Sequence, residues 1–295
     1  MIKNNVLGVA AAFLGLSVVG GAGVDLKAPS SLWLSSELVG MKVVSQDGAS
    51  LGKLEDVVVH PGNRPAYAVL AFGEWHDFGD KLFALPWSVL RTVEADSKQK
   101  DSARSLVLPV DRERLKAAPG FNTKRWPDFA KAEWTKDIDA FYVGDIQPST
   151  SSPAIEASSR MPSHVWRVTE LKGTKVLTPD GETLGDIREL AIDSNGRVAY
   201  ATLSVGGFLG LGDRVVPVPW DLFKFSLEGE KSDKQVITLA VTKKQLELAP
   251  EFKSDKALRA EMCDLTWVQR VYEHYSCPMY WTRAEKSDAS AGASK

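Results

Sequence analysis

Histidine and cysteine, the side chains that most often bind transition metals or act as nucleophiles, are scarce in this sequence. Four histidines and two cysteines occur in 295 residues. The histidines are scattered along the chain rather than grouped as a ligand set, at His60, His76, His164 and His274. The sequence therefore predicts neither a metal site nor a bound cofactor.

The sequence also lacks a dominant sign of charge. Lysine and arginine number 36 against 38 aspartate and glutamate residues, so the formal net charge is -2. No basic field is available to attract phosphates, and nucleic acid is not an expected partner. The hydrophobic fraction of 44% and the charged fraction of 25% are typical of a folded globular chain, and the length favours two domains.

A long apolar stretch without charge occurs at the N-terminus. Lys3 precedes it, and it extends from Val6 to Val24 with small residues around Ala22. Residues 1–24 are therefore expected to be a signal peptide cleaved near Ala22. The alternative is an uncleaved inner-membrane anchor, since about 20 apolar residues span a bilayer. In both cases the positive-inside rule places the rest of the chain in the periplasm.

The two cysteines, Cys263 and Cys277, lie near the C-terminus. An oxidising compartment would permit them to pair. On one straight helix they would lie about 21 Å apart, so a disulfide requires a turn between them. A structural disulfide and two free thiols both remain open, whereas the spacing differs from that of a redox-active Cys-x-x-Cys pair.

The chain repeats itself at an offset of 133 residues. Leu38-Val-Gly-Met-Lys-Val43 reappears as Leu171-Lys-Gly-Thr-Lys-Val176. Further pairs at this offset are Asp47-Gly48 with Asp180-Gly181, Leu51-Gly52 with Leu184-Gly185, Pro86-Trp87 with Pro219-Trp220, Trp134 with Trp267, and Tyr142 with Tyr275. The repeat predicts two equivalent units. We call residues 32–145 module 1 and residues 165–282 module 2; a Ser/Pro-rich linker, 146–164, and a disordered tail, 283–295, are expected beside them.

Each module is expected to contain about five short strands followed by helical segments. The Asp-Gly dipeptides at Asp47-Gly48 and Asp180-Gly181 favour tight turns between strands. Asp111 and Thr242 are expected to cap helices, and Thr242 with Gln245 fits a capping box. Short strands avoid exposed edges most simply by closing on themselves. The predicted fold class is mainly β, with two small β-barrels in tandem, each followed by a helical tail.

The motifs of module 2 resemble those of the PRC-barrel family, which includes the extramembrane domain of the photosynthetic reaction-centre H subunit. The motifs are Leu-x-Gly-x-x-Val, Asp-Gly-x-x-Leu-Gly, Gly-Gly-Phe-Leu-Gly-Leu-Gly-Asp and Val-Pro-Trp, between Leu171 and Trp220. In module 1 the glycine-rich motif is replaced by Gly73-Glu-Trp-His-Asp-Phe-Gly79, so that assignment rests partly on the duplication. The resemblance implies binding to other proteins and carries no catalytic residue set.

Two patterns that could suggest an enzyme have simpler interpretations. The segment Gly48-Ala-Ser-Leu-Gly52 fits the Gly-x-Ser-x-Gly pattern of hydrolases, but a strand rather than a helix is predicted to follow it. Glu55 with Asp56, and Asp186 with Glu189, could form acid/base pairs, yet adjacent strand residues point to opposite faces. We interpret these carboxylates as solvated strand charges and predict no enzyme activity.

Apolar residues are predicted at the tip of a hairpin in each module. They are Phe208, Leu209 and Leu211 in module 2, and Trp75 and Phe78 at the matching places in module 1. If these side chains are exposed, they form a candidate partner contact. The alternative is that they cover the helical tail of their own module.

The function expected from the sequence is that of a non-catalytic protein-interaction or scaffold module of the bacterial cell envelope. Its partner would be another envelope protein or a membrane complex, and the N-terminal segment could attach it to the membrane. The alternative is a small-ligand or cofactor-binding protein that uses the cleft between the two barrels.

Overall fold

The structure is a computed structural model, and it describes residues 32–61, 67–72, 81–93, 104–129, 131–143, 165–206, 214–227, 235–252, 261 and 264–282. The predictions for residues 1–24, for the linker up to 164 and for the tail 283–295 concern residues outside these ranges. Within the described ranges, none of the helices combines the length and the apolar character that crossing a membrane requires.

Module 1 begins with a short strand and a single helical turn, continues through seven further strands and the helix α2, and ends in the helix α3. Its elements are β1 (Leu32–Leu34), α1 (Ser35–Leu38), β2 (Lys42–Ser45), β3 (Ser50–Val59), β4 (Tyr67–Ala71), β5 (Lys81–Pro86), a 3-10 turn (Trp87–Val89), β6 (Arg91–Val93), β7 (Ser105–Leu108), α2 (Arg112–Ala117), β8 (Phe121–Asn122) and α3 (Ala132–Val143).

Module 2 repeats this order of elements, except that its described residues include no strand equivalent to β8. Its elements are β9 (Trp166–Arg167), α4 (Val168–Leu171), β10 (Lys175–Leu177), β11 (Thr183–Asp193), β12 (Val198–Val205), β13 (Arg214–Pro219), a 3-10 turn (Trp220–Leu222), β14 (Phe223–Leu227), β15 (Gln235–Leu239), α5 (Lys243–Glu247), α6 (Leu265–His274) and a 3-10 turn (Tyr280–Thr282).

The two sheets have the same topology. In module 1 the strand order is β6-β7-β2-β3-β4-β5-β8, and in module 2 it is β13-β12-β11-β10-β15-β14. The pairs β2–β7 and β10–β15 are parallel, and the other pairs along both orders are antiparallel. The predicted fold class, two small β-barrels in tandem with helical tails, is confirmed.

Local signals in the sequence form the turns and helix starts that they predict. Gly48 and Gly181 have φ values of 86° and 87° in the two Asp-Gly turns, a conformation that glycine adopts without strain. The hydrolase-like segment is therefore a hairpin turn that leads into β3. The Asp111 carboxylate accepts a hydrogen bond from the Arg114 amide at 2.7 Å, and Thr242 forms the predicted capping box.

Each tail helix packs aromatic side chains against its own module. In α3 the ring of Trp134 lies 4.7 Å from that of Phe129 and 5.7 Å from that of Phe121. In α6 the ring of Trp267 lies 4.5 Å from that of Phe252. Each module is therefore covered by its own tail helix.

The first strand of each module pairs with the other module. Strand β1 is antiparallel to the end of β11, with Trp33 opposite Ile192. Strand β9 is antiparallel to the end of β3, with Trp166 opposite Val59. As a result, the buried apolar side chains of both modules form one continuous core. The sequence repeat did not predict this exchange of strands.

Candidate functional site at the contact between the modules

The predicted partner contact and disulfide involve residues outside the described ranges. This is the case for Phe208, Leu209, Leu211, Trp75 and Phe78, and for Cys263. They therefore stay predictions. Cys277 is buried, and its Sγ lies 3.7 Å from the carbonyl oxygen of Pro278. Among the described residues, no group of three or more His, Cys, Asp or Glu side chains is arranged to hold a metal ion.

The described residues at the foot of the module 2 hairpin include an exposed leucine. Arg214, the first residue of β13, donates hydrogen bonds to the Glu247 carbonyl and, at 2.5 Å, to the Glu251 carboxylate. Leu248 follows Glu247 directly, and 68% of its surface is exposed. An apolar side chain is therefore presented to solvent next to the hairpin.

A carboxylate on β11 holds the helical turn α1 of module 1. The Ser35 hydroxyl donates to Glu189 at 2.6 Å, and the Ser36 amide donates to the same carboxylate oxygen at 3.0 Å. The Leu190 amide donates back to the Ser35 hydroxyl at 3.1 Å. Lys172 reaches the other Glu189 oxygen at 3.3 Å. The carboxylate thus joins the two modules through both side-chain and backbone donors.

In the equivalent contact, β3 of module 1 holds the helical turn α4 of module 2. It does so through Asp56 on β3 and Thr169 in α4. The Thr169 amide donates to the Asp56 carboxylate at 3.2 Å, and the Thr169 hydroxyl donates to its other oxygen. The Val57 amide adds a third donor at 2.8 Å. Asp56 is only 2% exposed. This burial raises the pKa of Asp56, while the hydrogen bonds from Thr169 and Val57 oppose the increase.

The interpretation of these carboxylates as solvated strand charges is wrong for Asp56 and Glu189. Asp56 is buried, and the side chain of Glu189 is 12% exposed. They occupy equivalent positions of the repeat, as do their partners Ser36 and Thr169. One sequence signal could have revealed the contact. Both copies of the repeat have an acidic residue at the same position, on a strand face that is otherwise apolar.

Two tryptophans of the 3-10 turns form the other end of the contact. The indole Nε1 of Trp87 donates to the carbonyl of Ser194 at 3.1 Å. The indole Nε1 of Trp220 donates to the carbonyl of His60 at 3.2 Å. Each indole therefore binds the backbone at the end of the long strand of the opposite module. We use the name module contact for the two strand exchanges, the two carboxylate sites and these two indole sites.

Gly196 allows Trp87 to approach the turn of module 2 closely. Its φ is +78°, and a Cβ atom at this position would lie 2.6 Å from Cδ1 and 2.8 Å from Cδ2 of the Trp87 ring. A larger residue would therefore meet both backbone strain and a steric clash.

Aromatic and cationic side chains anchor the exchanged strands. The Trp166 ring on β9 lies 5.2 Å from that of Phe225 in its own module. Next to it, the Arg167 guanidinium lies 4.4 Å from the centre of the Trp126 ring in module 1. Cation–π contacts of this kind add to the stability of an interface. Strand β9 is thus held by both modules at once.

The geometry of the module contact is that of a structural joint. Its carboxylates and indoles are engaged in hydrogen bonds to backbone and hydroxyl groups, and its aromatic side chains are packed. Buried polar groups paired in this way fix the relative positions of two surfaces.

Comparison with protein-family models agrees with this architecture. The PRC-barrel domain model matches residues 34–104 and 164–246, which together make up more than half of the chain. The two matches start near α1 and α4; the first covers β2 to β6 of module 1, and the second covers β9 to β15 of module 2. A search of curated proteins found no match. Two separate matches to one domain model, on two modules of the same topology, show that the chain is a tandem protein of the PRC-barrel family.

Proposed function

We propose that this protein is a non-catalytic interaction or scaffold module of the bacterial cell envelope, with another envelope protein or a membrane complex as its partner. The PRC-barrel domain is a generic interaction module. The observation that carries the proposal is the module contact, since it joins two such domains into one unit that can present two equivalent surfaces in a fixed arrangement.

The envelope location is supported by the sequence of the first 24 residues. A lysine followed by a long uncharged apolar stretch and small residues is typical of an export signal. The proposal places both modules in the periplasm, either released after cleavage or held at the inner membrane by the uncleaved segment. N-terminal sequencing of protein recovered from periplasmic and membrane fractions tests this part.

The proposed partner surface is the pair of hairpin tips. Support comes from Leu248, whose exposed side chain stands beside Arg214 at the foot of the module 2 hairpin. Exposed apolar side chains that cluster on one side of a domain are typical of protein contacts. The alternative of a ligand in a cleft between the barrels has less support, because large side chains such as Trp87 and Trp220 are packed where the modules meet.

The test is a pull-down from envelope extract with three forms of the protein. The first is wild type, and the second carries Phe208→Ser, Leu209→Ser and Leu211→Ser. The third is a matched control that carries Lys42→Ser and Lys53→Ser on the exposed face of module 1. We expect wild type and the control to retain the same partner and the tip variant to lose it, with circular dichroism showing that all three are folded. Equal capture by the tip variant would rule out the tips as the contact, and the absence of any specific partner would contradict the proposal as a whole.

A further inference from the structure

Each module is completed by elements of the other, and the bonds between them are reciprocal. Strand β1 and α1 of module 1 lie on β11 of module 2, while β9 and α4 of module 2 lie on β3 of module 1. An indole of each module binds a carbonyl of the other. Such reciprocity is the property of an isologous interface, which normally joins two identical chains.

We propose that the module contact is also a binding site for a second copy of this chain. In the resulting dimer, module 1 of one copy pairs with module 2 of the other, and the two remaining modules pair in the same way. All hydrogen bonds, strand pairings and buried aromatic contacts of the module contact are then formed twice. In the dimer, the donors, acceptors and strand edges described above have the same partners as in the single chain.

The covalent connection alone decides between the single chain and the dimer, because the noncovalent contacts are the same in both. The connection consists of residues 144–164, which can extend to about 70 Å. A Ser/Pro-rich connection of this length gives an effective concentration on the order of 1 mM for pairing within one chain. The closed single chain is therefore favoured in dilute solution, and a connection too short to span from Val143 to Val165 within one chain favours the dimer.

The first test shortens the connection. Deletion of residues 147–160 leaves seven residues between Val143 and Val165, a span of at most about 25 Å. We expect this variant to have twice the mass of wild type by light scattering on a sizing column. A replacement of the same 14 residues by Gly and Ser keeps the length and should remain monomeric. A folded, monomeric deletion variant would contradict the proposal.

The module contact must be the surface that joins the two copies. Adding Gly196→Ala to the deletion variant introduces a Cβ against Trp87 and should reduce the dimer fraction at least tenfold at equal concentration. Gly173→Ala is the matched control, because Gly173 also has φ of +78° but no atom within 4 Å of the added Cβ. A dimer that is insensitive to Gly196→Ala would have to use another surface.

A second experiment decides the question if the deletion variant fails to fold. A protease site is placed within residues 147–160 of two preparations, one of them labelled with ¹⁵N, and both are cleaved while folded and then mixed. Native mass spectrometry should detect both kinds of hybrid particle, labelled module 1 with unlabelled module 2 and the reverse, which together make up about half of all particles at equilibrium. Retention of the original pairs, or separation into modules that do not pair, would overturn the proposal.

Discussion

The two carboxylate sites of the module contact occupy equivalent positions but are built from different residues. Asp56 is short and buried, and it accepts hydrogen bonds from the hydroxyl and amide of Thr169 in the other module and from the amide of Val57 in its own. Glu189 is longer and partly exposed, and it reaches Ser35, Ser36 and the surface residue Lys172. Both copies of the repeat therefore have a carboxylate that accepts hydrogen bonds from a helical turn of the other module. The solvent exposure of this carboxylate differs between the two modules.

The indole sites differ in a second way. Trp220 is packed within its own module, with ring centroids 5.6 Å from Phe223 and 4.9 Å from Phe225. The equivalent neighbours of Trp87 are Leu90 and Thr92. Trp87 instead lies against the backbone of Gly196 in the other module. One tryptophan is thus mainly a core residue, and the other is mainly a contact residue.

Truncation of the tryptophans should produce the largest effects and should reveal this difference. Trp87→Ala and Trp220→Ala are each expected to lower the free energy of unfolding by about 3–5 kcal/mol through lost burial. Trp220→Ala should cost more, since each lost aromatic pair adds about 0.5–1.5 kcal/mol. Urea denaturation followed by circular dichroism measures both. A larger loss at Trp87 would contradict the assignment of Trp220 as the more deeply packed residue.

Substitution of Gly196 should have the next largest effect. Gly196→Ala is expected to lower the free energy of unfolding by about 2–4 kcal/mol, as it combines left-handed backbone strain with a clash against Trp87. Gly173→Ala has the strain alone and should cost about 1–2 kcal/mol. The same denaturation experiment compares them, and equal losses would show that Trp87 moves aside without cost.

The two carboxylate sites should respond unequally to truncation. Asp56→Ala removes the acceptor of the buried Val57 amide as well as that of the Thr169 hydroxyl and amide, and is expected to cost about 1–3 kcal/mol. Glu189→Ala should cost less, because water can reach the exposed Ser36 amide and the Ser35 hydroxyl keeps its hydrogen bond from the Leu190 amide. Thermal or urea unfolding of both variants is the measurement. A greater loss of unfolding free energy for Glu189→Ala would mean that burial of the carboxylate does not determine the cost of removing it.

The smallest expected effect is a dependence of stability on pH that comes from Asp56. Burial raises its pKa in the folded state above the usual 3.8, so the folded protein binds this proton more tightly than the unfolded chain does. The resulting stabilisation is complete below the unfolded pKa and is lost as the pH rises through the folded pKa.

Asp56→Asn removes this dependence while it keeps an oxygen that can accept from Thr169. The difference in free energy of unfolding between wild type and Asp56→Asn should therefore shift in favour of wild type as the pH is lowered. Half-buried Asp139 and buried Asp193, whose pKa values are raised as well, titrate in both proteins and cancel in the comparison. A difference that is constant over the acid range would contradict the raised pKa of Asp56.

The parts of the fold that the sequence predicted depend on local patterns. The Asp-Gly turns, the Asp111 and Thr242 caps and the tail helices are each determined by residues a few positions apart, and the duplication confirmed them twice. The strand exchange depends on pairs such as Ser35 and Glu189, which are 154 positions apart. Serine and glutamate are common surface residues, and no local pattern indicates that they meet.

The exchanged strands also determine when the native structure can form as the chain is made. Strand β3 lacks the neighbour β9 until Trp166 has been synthesised, and β1 lacks its partner until Ala191 to Asp193 follow. A nascent chain that ends within residues 144–164 therefore carries a complete sequence for module 1 but an uncovered strand edge, the kind of surface that recruits chaperones or aggregates. Maturation of the first half of this protein waits for the second half to emerge.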